Sequence, residues 1–84
     1  MRYTVVVVPD ESGAGFVAYV PAIPGCVTQG DDLPEALAMA RDAAAAMLAS
    51  IAAHGEEIPT ELPGAVVASV EVDAPARRGM AAAD

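Results

Sequence analysis

Residues 24–55 read Pro24-Gly25-Cys26-Val27-Thr28-Gln29-Gly30-Asp31-Asp32-Leu33-Pro34-Glu35-Ala36-Leu37, then an alanine-rich run that closes at His54-Gly55. The reading is a short strand, a tight turn and one long helix. Asp32 is placed to cap the helix, since its carboxylate can accept the orphan amides of the first turn. Glu35 follows three residues later, as a capping box requires. Pro34 falls in the first turn, where a missing N–H costs little. Gly55 suits the left-handed residue that closes a helix, and Pro59 blocks any continuation. Leu33, Leu37, Ala40, Ala44, Met47, Leu48 and Ile51 recur at spacings of three and four, which predicts one apolar stripe over about six turns. No other convincing helix is present, so every strand must be covered by this one or by another chain.

Upstream, Arg2 to Pro9 is a β-branched run that predicts a strand. Its four consecutive valines make both faces apolar, which calls for cover on both sides. Asp10 to Gly15 is a polar, glycine-bearing turn, and Phe16 to Val20 completes a hairpin. Phe16, Ala18 and Val20 should share one face, with Val17 and Tyr19 on the other. Pro21 to Gly25 breaks that strand, and Cys26 to Gln29 is the third. Downstream, Glu56 to Gly64 is an acidic linker long enough to bring the chain back to the sheet. Ala65 to Val72 alternates Val66, Ala68, Val70 and Val72 with Val67, Ser69 and Glu71, and predicts a last strand. The expected architecture is α+β, in the order β-β-β-α-β, a small antiparallel-dominated sheet with one long helix on one face. Residues 1–73 form one domain and 74–84 a frayed tail holding the pair Arg77-Arg78.

An 84-residue domain has a marginal core. Composition is 55% hydrophobic with only three aromatic residues, too apolar for a disordered chain and rich for a monomer with a single helix. The sheet face away from the helix still carries valines, so a homo-oligomer, dimer or larger, is expected. Twelve acidic residues against four basic ones give a net charge of −8, and there is no lysine. Phosphate binding needs clustered lysine or arginine, so direct nucleic-acid binding and attraction to an anionic membrane are not expected. A basic protein is the electrostatically favoured partner. The single cysteine excludes an internal disulfide. Val5 to Val8 is too short for a signal-peptide core. No run reads as a membrane span, because the helix is weakly hydrophobic and carries Arg41 and Asp42 near its middle. A cytoplasmic protein is expected.

The residues that could carry chemistry have simpler readings. Two-metal catalysis needs converging carboxylates, and the strands offer Val5, Val6, Val7, Val67 and Ser69 instead. His54, the sole histidine, suits the helix C-terminus. Cys26 reads as a buried packing residue. Met39 and Met47 belong to the core or the helix surface. Asp31 and Asp32 are capping groups first. No catalytic residue, cofactor site or metal site is expected. The exposed carboxylates Asp10, Glu11, Glu56, Glu57 and Glu61 are the candidate contacts for a basic partner.

Several of these stretches, taken in order, carry a resemblance. They are Tyr3-Thr4-Val5, the glycine turn before Phe16-Val17-Ala18-Tyr19-Val20-Pro21, Ile23-Pro24-Gly25-Cys26, Thr28-Gln29-Gly30-Asp31, Leu33-Pro34-Glu35-Ala36-Leu37 and Gly55-Glu56-Glu57-Ile58-Pro59. Over roughly residues 2 to 72 the chain resembles the HicB family of antitoxins from bacterial toxin–antitoxin systems. The resemblance implies a partial ribonuclease H-like fold and a role in binding and neutralising a small basic toxin, HicA, that cleaves mRNA with a histidine. Many members add a C-terminal DNA-binding module. Only about a dozen unpatterned residues follow the expected last strand here, too few for such a module, so promoter binding by this chain alone is not expected. The alternative in another class is a solitary oligomeric domain with a ligand-binding or structural role and no toxin partner.

Overall fold

The computed structural model describes residues 1–61 and 63–75. Three strands, β1 (Val6–Pro9), β2 (Phe16–Tyr19) and β3 (Val27–Gly30), precede one helix, α1 (Leu33–Ala53). The sheet is antiparallel in the order β1-β2-β3. Its register sets Val6 opposite Tyr19 and Tyr19 opposite Val27, then Val8 opposite Val17 and Val17 opposite Gln29. Val7, Ala18 and Thr28 form the intervening row, whose side chains point to the other face. The expected α+β arrangement of sheet and single helix is the one observed.

The helix forms for the reasons its ends supply. The Glu35 amide donates to Asp32 Oδ1 at 2.8 Å, with Asp32 in extended conformation as the N-cap. The Glu35 carboxylate reaches back to the amide of Asp31, one residue before the cap, where the simple capping box has it on the cap itself. At the far end Glu56 N–H donates to Ile51 O at 3.1 Å and Gly55 N–H to Ala52 O at 3.0 Å. Gly55 has φ of +74°. This bond pair with a left-handed glycine is the Schellman closure. His54 Nδ1 donates to Ser50 O at 2.7 Å, which makes it a helix-end group.

The buried core is small: Ala18, Val20, Ile23, Cys26, Ala36 and Ala40, with Tyr3, Val5, Val7, Phe16, Ala43, Ala44, Met47 and Leu48 packed around it. Ala18, Val20 and Cys26 are inside as expected. The helix stripe is the expected one over most of its length. It departs only in the first turns: Ala40, Ala44, Met47 and Leu48 lie in or against the core as expected, but Leu33 and Leu37 are 47% and 42% exposed while Ala36 is sealed. The reason is the closeness of α1 to β3. A Cβ built on Gly30 would lie 2.4 Å from Ala36 N, so the first helical turns rest on bare backbone. Only alanine fits on the helix side of such a contact, and the leucines are turned aside. Ile23 enters the core from the loop between β2 and β3, which is held by Val20, Ile23 and Cys26 backbone bonds of 3.0 Å.

Two further differences bear on function. β1 begins at Val6, not at Arg2. More important, Ala65 to Val72 forms no strand in the chain. Val66, Val67, Val70 and Val72 are 82%, 76%, 86% and 75% exposed. The fourth strand that a ribonuclease H-like fold would add is therefore not formed within this chain. Of the expected tail, residues 74–84, the part from residue 76 onward lies outside the described residues together with Arg77 and Arg78. The helix is also long and apolar enough, by length and composition, to cross a membrane, contrary to expectation. Its alanine content explains this, since alanine scores as apolar while offering little greasy area. Arg41 and Asp42 would cost about 2.5–3.5 kcal/mol each at a bilayer centre, and Ala36 and Ala40 seat the helix on the sheet instead.

Candidate protein-interaction surface

The sheet has two unlike faces because its strands alternate. Tyr3, Val5, Val7, Phe16, Ala18 and Val20 look toward α1. The opposite face carries the rows Val6–Tyr19–Val27 and Val8–Val17–Gln29. Five of these six side chains are apolar. Val8, Tyr19 and Val27 are 38%, 40% and 52% exposed. A contiguous apolar patch of this kind on a small acidic domain marks a contact surface. The valines of β1 were expected on this face. Tyr19 and Val27 contribute as much and were not singled out as contact residues, although the Phe16–Val20 alternation places Tyr19 there and the register brings Val27 beside it.

The five candidate carboxylates separate into two groups. Asp10 and Glu11 sit in the turn after β1, at the end of the molecule that holds the start of α1. Asp10 lines a hollow of about 360 Å³ together with Ala14, Phe16, Gln29, Gly30, Asp31, Glu35 and Met39. Glu56 and Glu57 follow the far end of α1, whose 21 residues span about 32 Å. Glu61 is carried back to the start of β1. The hollow also brings Asp31 and Glu35 beside the Asp10 turn, a convergence that sequence separation hides. Among the described residues no group of three His, Cys, Asp or Glu side chains could hold a metal ion.

Two of the five are engaged by hydroxyl residues. Asp10 accepts from the Ser12 hydroxyl and from the Ser12 amide at 3.1 Å. These bonds, the side-chain one first, hold its carboxyl below the usual range. Glu61 Oε1 accepts from the Thr4 amide at 3.0 Å and its other oxygen from the Thr4 hydroxyl, which lowers its pKa in the same way. The Tyr3 hydroxyl donates to Pro59 O at 2.6 Å. The linker after α1 is thus tied to the start of β1, so Glu61 is a structural clasp as well as a surface charge.

A second opening lies between α1 and the early part of β1. It measures about 500 Å³ and is lined by Tyr3, Val5, Val20, Leu37, Ala44 and Leu48, with Arg2 and Arg41 also on its walls. It exists because the alanine–glycine contact draws α1 over β3, leaving the inner side of β1 without full cover.

Comparison with known proteins gives a consistent assignment. The family described as "HicB_like antitoxin of bacterial toxin-antitoxin system" matches residues 3–78. The chain is 44% identical over 61 residues to the UPF0150 protein Ta0767 of Thermoplasma acidophilum, covering 73% of this chain and 87% of that one. It is 46% identical over 66 residues to Antitoxin HicB 1 of Photorhabdus laumondii, covering 79% of this chain and 41% of that protein. It is 35% identical over 60 residues to the UPF0150 protein ssl0259 of Synechocystis, covering 71% and 81%. The chain thus matches most of two relatives and well under half of the antitoxin's length.

Proposed function

The chain belongs to the HicB-like antitoxin family of bacterial toxin–antitoxin systems, and on that premise we propose that it is an antitoxin which binds and neutralises a small basic, mRNA-cleaving toxin of the HicA type. The observation that carries the reading is the family match over residues 3–78. The chemistry of the surface supports it. A net charge of −8 with no lysine attracts a basic protein from a distance. The apolar rows led by Val8, Tyr19 and Val27 offer a surface that could hold a complex once formed. The chain acts by occlusion, as a regulator and not an enzyme, in the cytoplasm and as a dimer or larger assembly. It does not bind nucleic acid by itself.

The test is a cleavage assay with a HicA-type toxin on RNA, titrated with this protein. Cleavage should stop near one antitoxin chain per toxin. Association should be faster at low salt than at high salt, because charge steering is screened. Undiminished cleavage in excess antitoxin would remove the proposal, and a salt-independent on-rate would remove the steering role. A second reading, a solitary oligomeric domain with a ligand-binding or structural role, draws on the match to most of the length of two short relatives. Self-association without neutralisation in the same assay would favour it.

A further inference from the structure

The segment Ala65–Val72 has the alternation of a half-buried strand and no partner in its own chain. Pro63 and Gly64 make a turn, with φ of +81° at Gly64, after which the chain leaves the body. The long axis of the molecule is 53 Å against 26 and 25 Å across, and its radius of gyration is 17.0 Å. A compact chain of this length has about 11–12 Å. Val66, Val67, Val70 and Val72 stand in solvent at three-quarters exposure or more.

The same molecule lacks what such a segment would supply. Among the described residues β1 pairs only with β2, so its other edge carries no strand. At β3 the start of α1 rests on the backbone of Gly30, the last residue of that strand. Beside β1 there is the open apolar cleft of Tyr3, Val5, Val20, Leu37, Ala44 and Leu48. Charge agrees as well. Arg2 and Arg41, the only basic residues among those described, both line that cleft. The segment brings Glu71, and Asp73 follows it.

We propose that Ala65–Val72 is an exchanged arm: it adds to the β1 edge of a second copy of this chain, seating Val66, Ala68, Val70 and Val72 in the partner's cleft with its acidic end near Arg2 and Arg41. Strand addition satisfies the free backbone groups of both edges. Reciprocal exchange is closed and two-fold, as homodimers are. The proposal deepens the self-association stated above by naming its contact. It leaves the outer face of Val8, Tyr19 and Val27 free for a different protein.

The experiment is the solution mass of the full chain, wild type against the double variant Val66→Asp, Val70→Asp, at one micromolar-range concentration, with helical circular dichroism as the folding check. The expected result is a wild-type dimer and a monomeric variant of unchanged helicity, with dimer affinity down at least about tenfold. A monomeric wild type overturns both the arm and the dimer. A variant that stays dimeric overturns the arm and leaves the dimer. A second measurement fixes the occupant. Full chains of two lengths, one with Leu37→Cys and one with Val70→Cys, are mixed and oxidised, and exchange gives a mixed-length disulfide dimer. A chain carrying both substitutions that instead closes on itself as a monomer shows the arm on its own edge and refutes exchange.

Discussion

Gly30→Ala should be among the most damaging single-methyl additions in this chain, and the reason is geometric. The new Cβ would lie 2.4 Å from Ala36 N, 2.6 Å from Ala36 Cα and 2.8 Å from Glu35 C. All three are backbone atoms of the first turns of α1, so no rotamer change relieves the clash. To restore ordinary contact of about 3.5–4.0 Å the helix must lift by about 1 Å. That lift opens the contacts of Ala36 and Ala40, two of the six core residues. Overpacking costs about 1–3 kcal/mol, and a rigid obstacle argues for the upper end, about 3 kcal/mol. The whole domain is worth about 4–13 kcal/mol at 0.05–0.15 kcal/mol per residue. At about 4–8 °C per kcal/mol the melting temperature should fall by about 12–24 °C. Gly13→Ala is the control: Gly13 has φ of +84° with nothing within 4 Å of its Cβ. It should show backbone strain alone, about 1–2 kcal/mol. Both variants and wild type are melted at equal chain concentration, followed by circular dichroism at the helical band, because self-association makes the midpoint concentration-dependent. A Gly30→Ala midpoint within about 3 °C of wild type, or a smaller loss than Gly13→Ala, would refute the close-contact account.

Two other outcomes follow from particular side chains. Thr28 Oγ1 is buried without a hydrogen-bond partner on the inner row of the sheet. Thr28→Val keeps the shape and removes a stranded hydroxyl, so urea denaturation should show a gain of about 1 kcal/mol; a loss of that size would mean the hydroxyl has a bonding role. Glu61 has a lowered pKa through its Thr4 bonds, so its contribution to stability is full above the ordinary carboxylate range and is lost as pH falls through that range toward the lowered value. The stability difference between wild type and Glu61→Gln should therefore shrink on acidification from neutral pH. Using the difference cancels the relief of repulsion that a net −8 chain also gains in acid, and a gap that is constant or widens in acid would contradict the clasp.

Much of the local structure was legible because local chemistry decides it. Asp32 and Gly55 bound the helix for reasons that act within one turn. The alternation of Phe16, Ala18 and Val20 against Val17 and Tyr19 follows from the pleat alone. Cys26 and His54 took their expected packing and helix-end places. The candidate surface was only partly legible. A valine-bearing face away from the helix could be read from β1, but its full membership depends on the strand register. Where the five acidic candidates sit follows from the fold: Asp10 and Glu11 lie at the end holding the start of α1, and Glu56 and Glu57 follow its far end. Asp31 and Glu35 join Asp10 only through the turn between strand and helix.

Local chemistry is enough for the element types and their order up to the end of α1, the caps, the two-faced strands and the negative surface, since each rests on neighbours within a few residues or on composition. Only the packed fold shows how the first turns of the helix sit, because the bare backbone of Gly30 admits Ala36 and leaves Leu33 and Leu37 half exposed. It also decided the state of Ala65–Val72. Strand propensity belongs to a segment, but a strand exists only beside an edge that accepts its hydrogen bonds, and this segment pairs with no edge among the described residues.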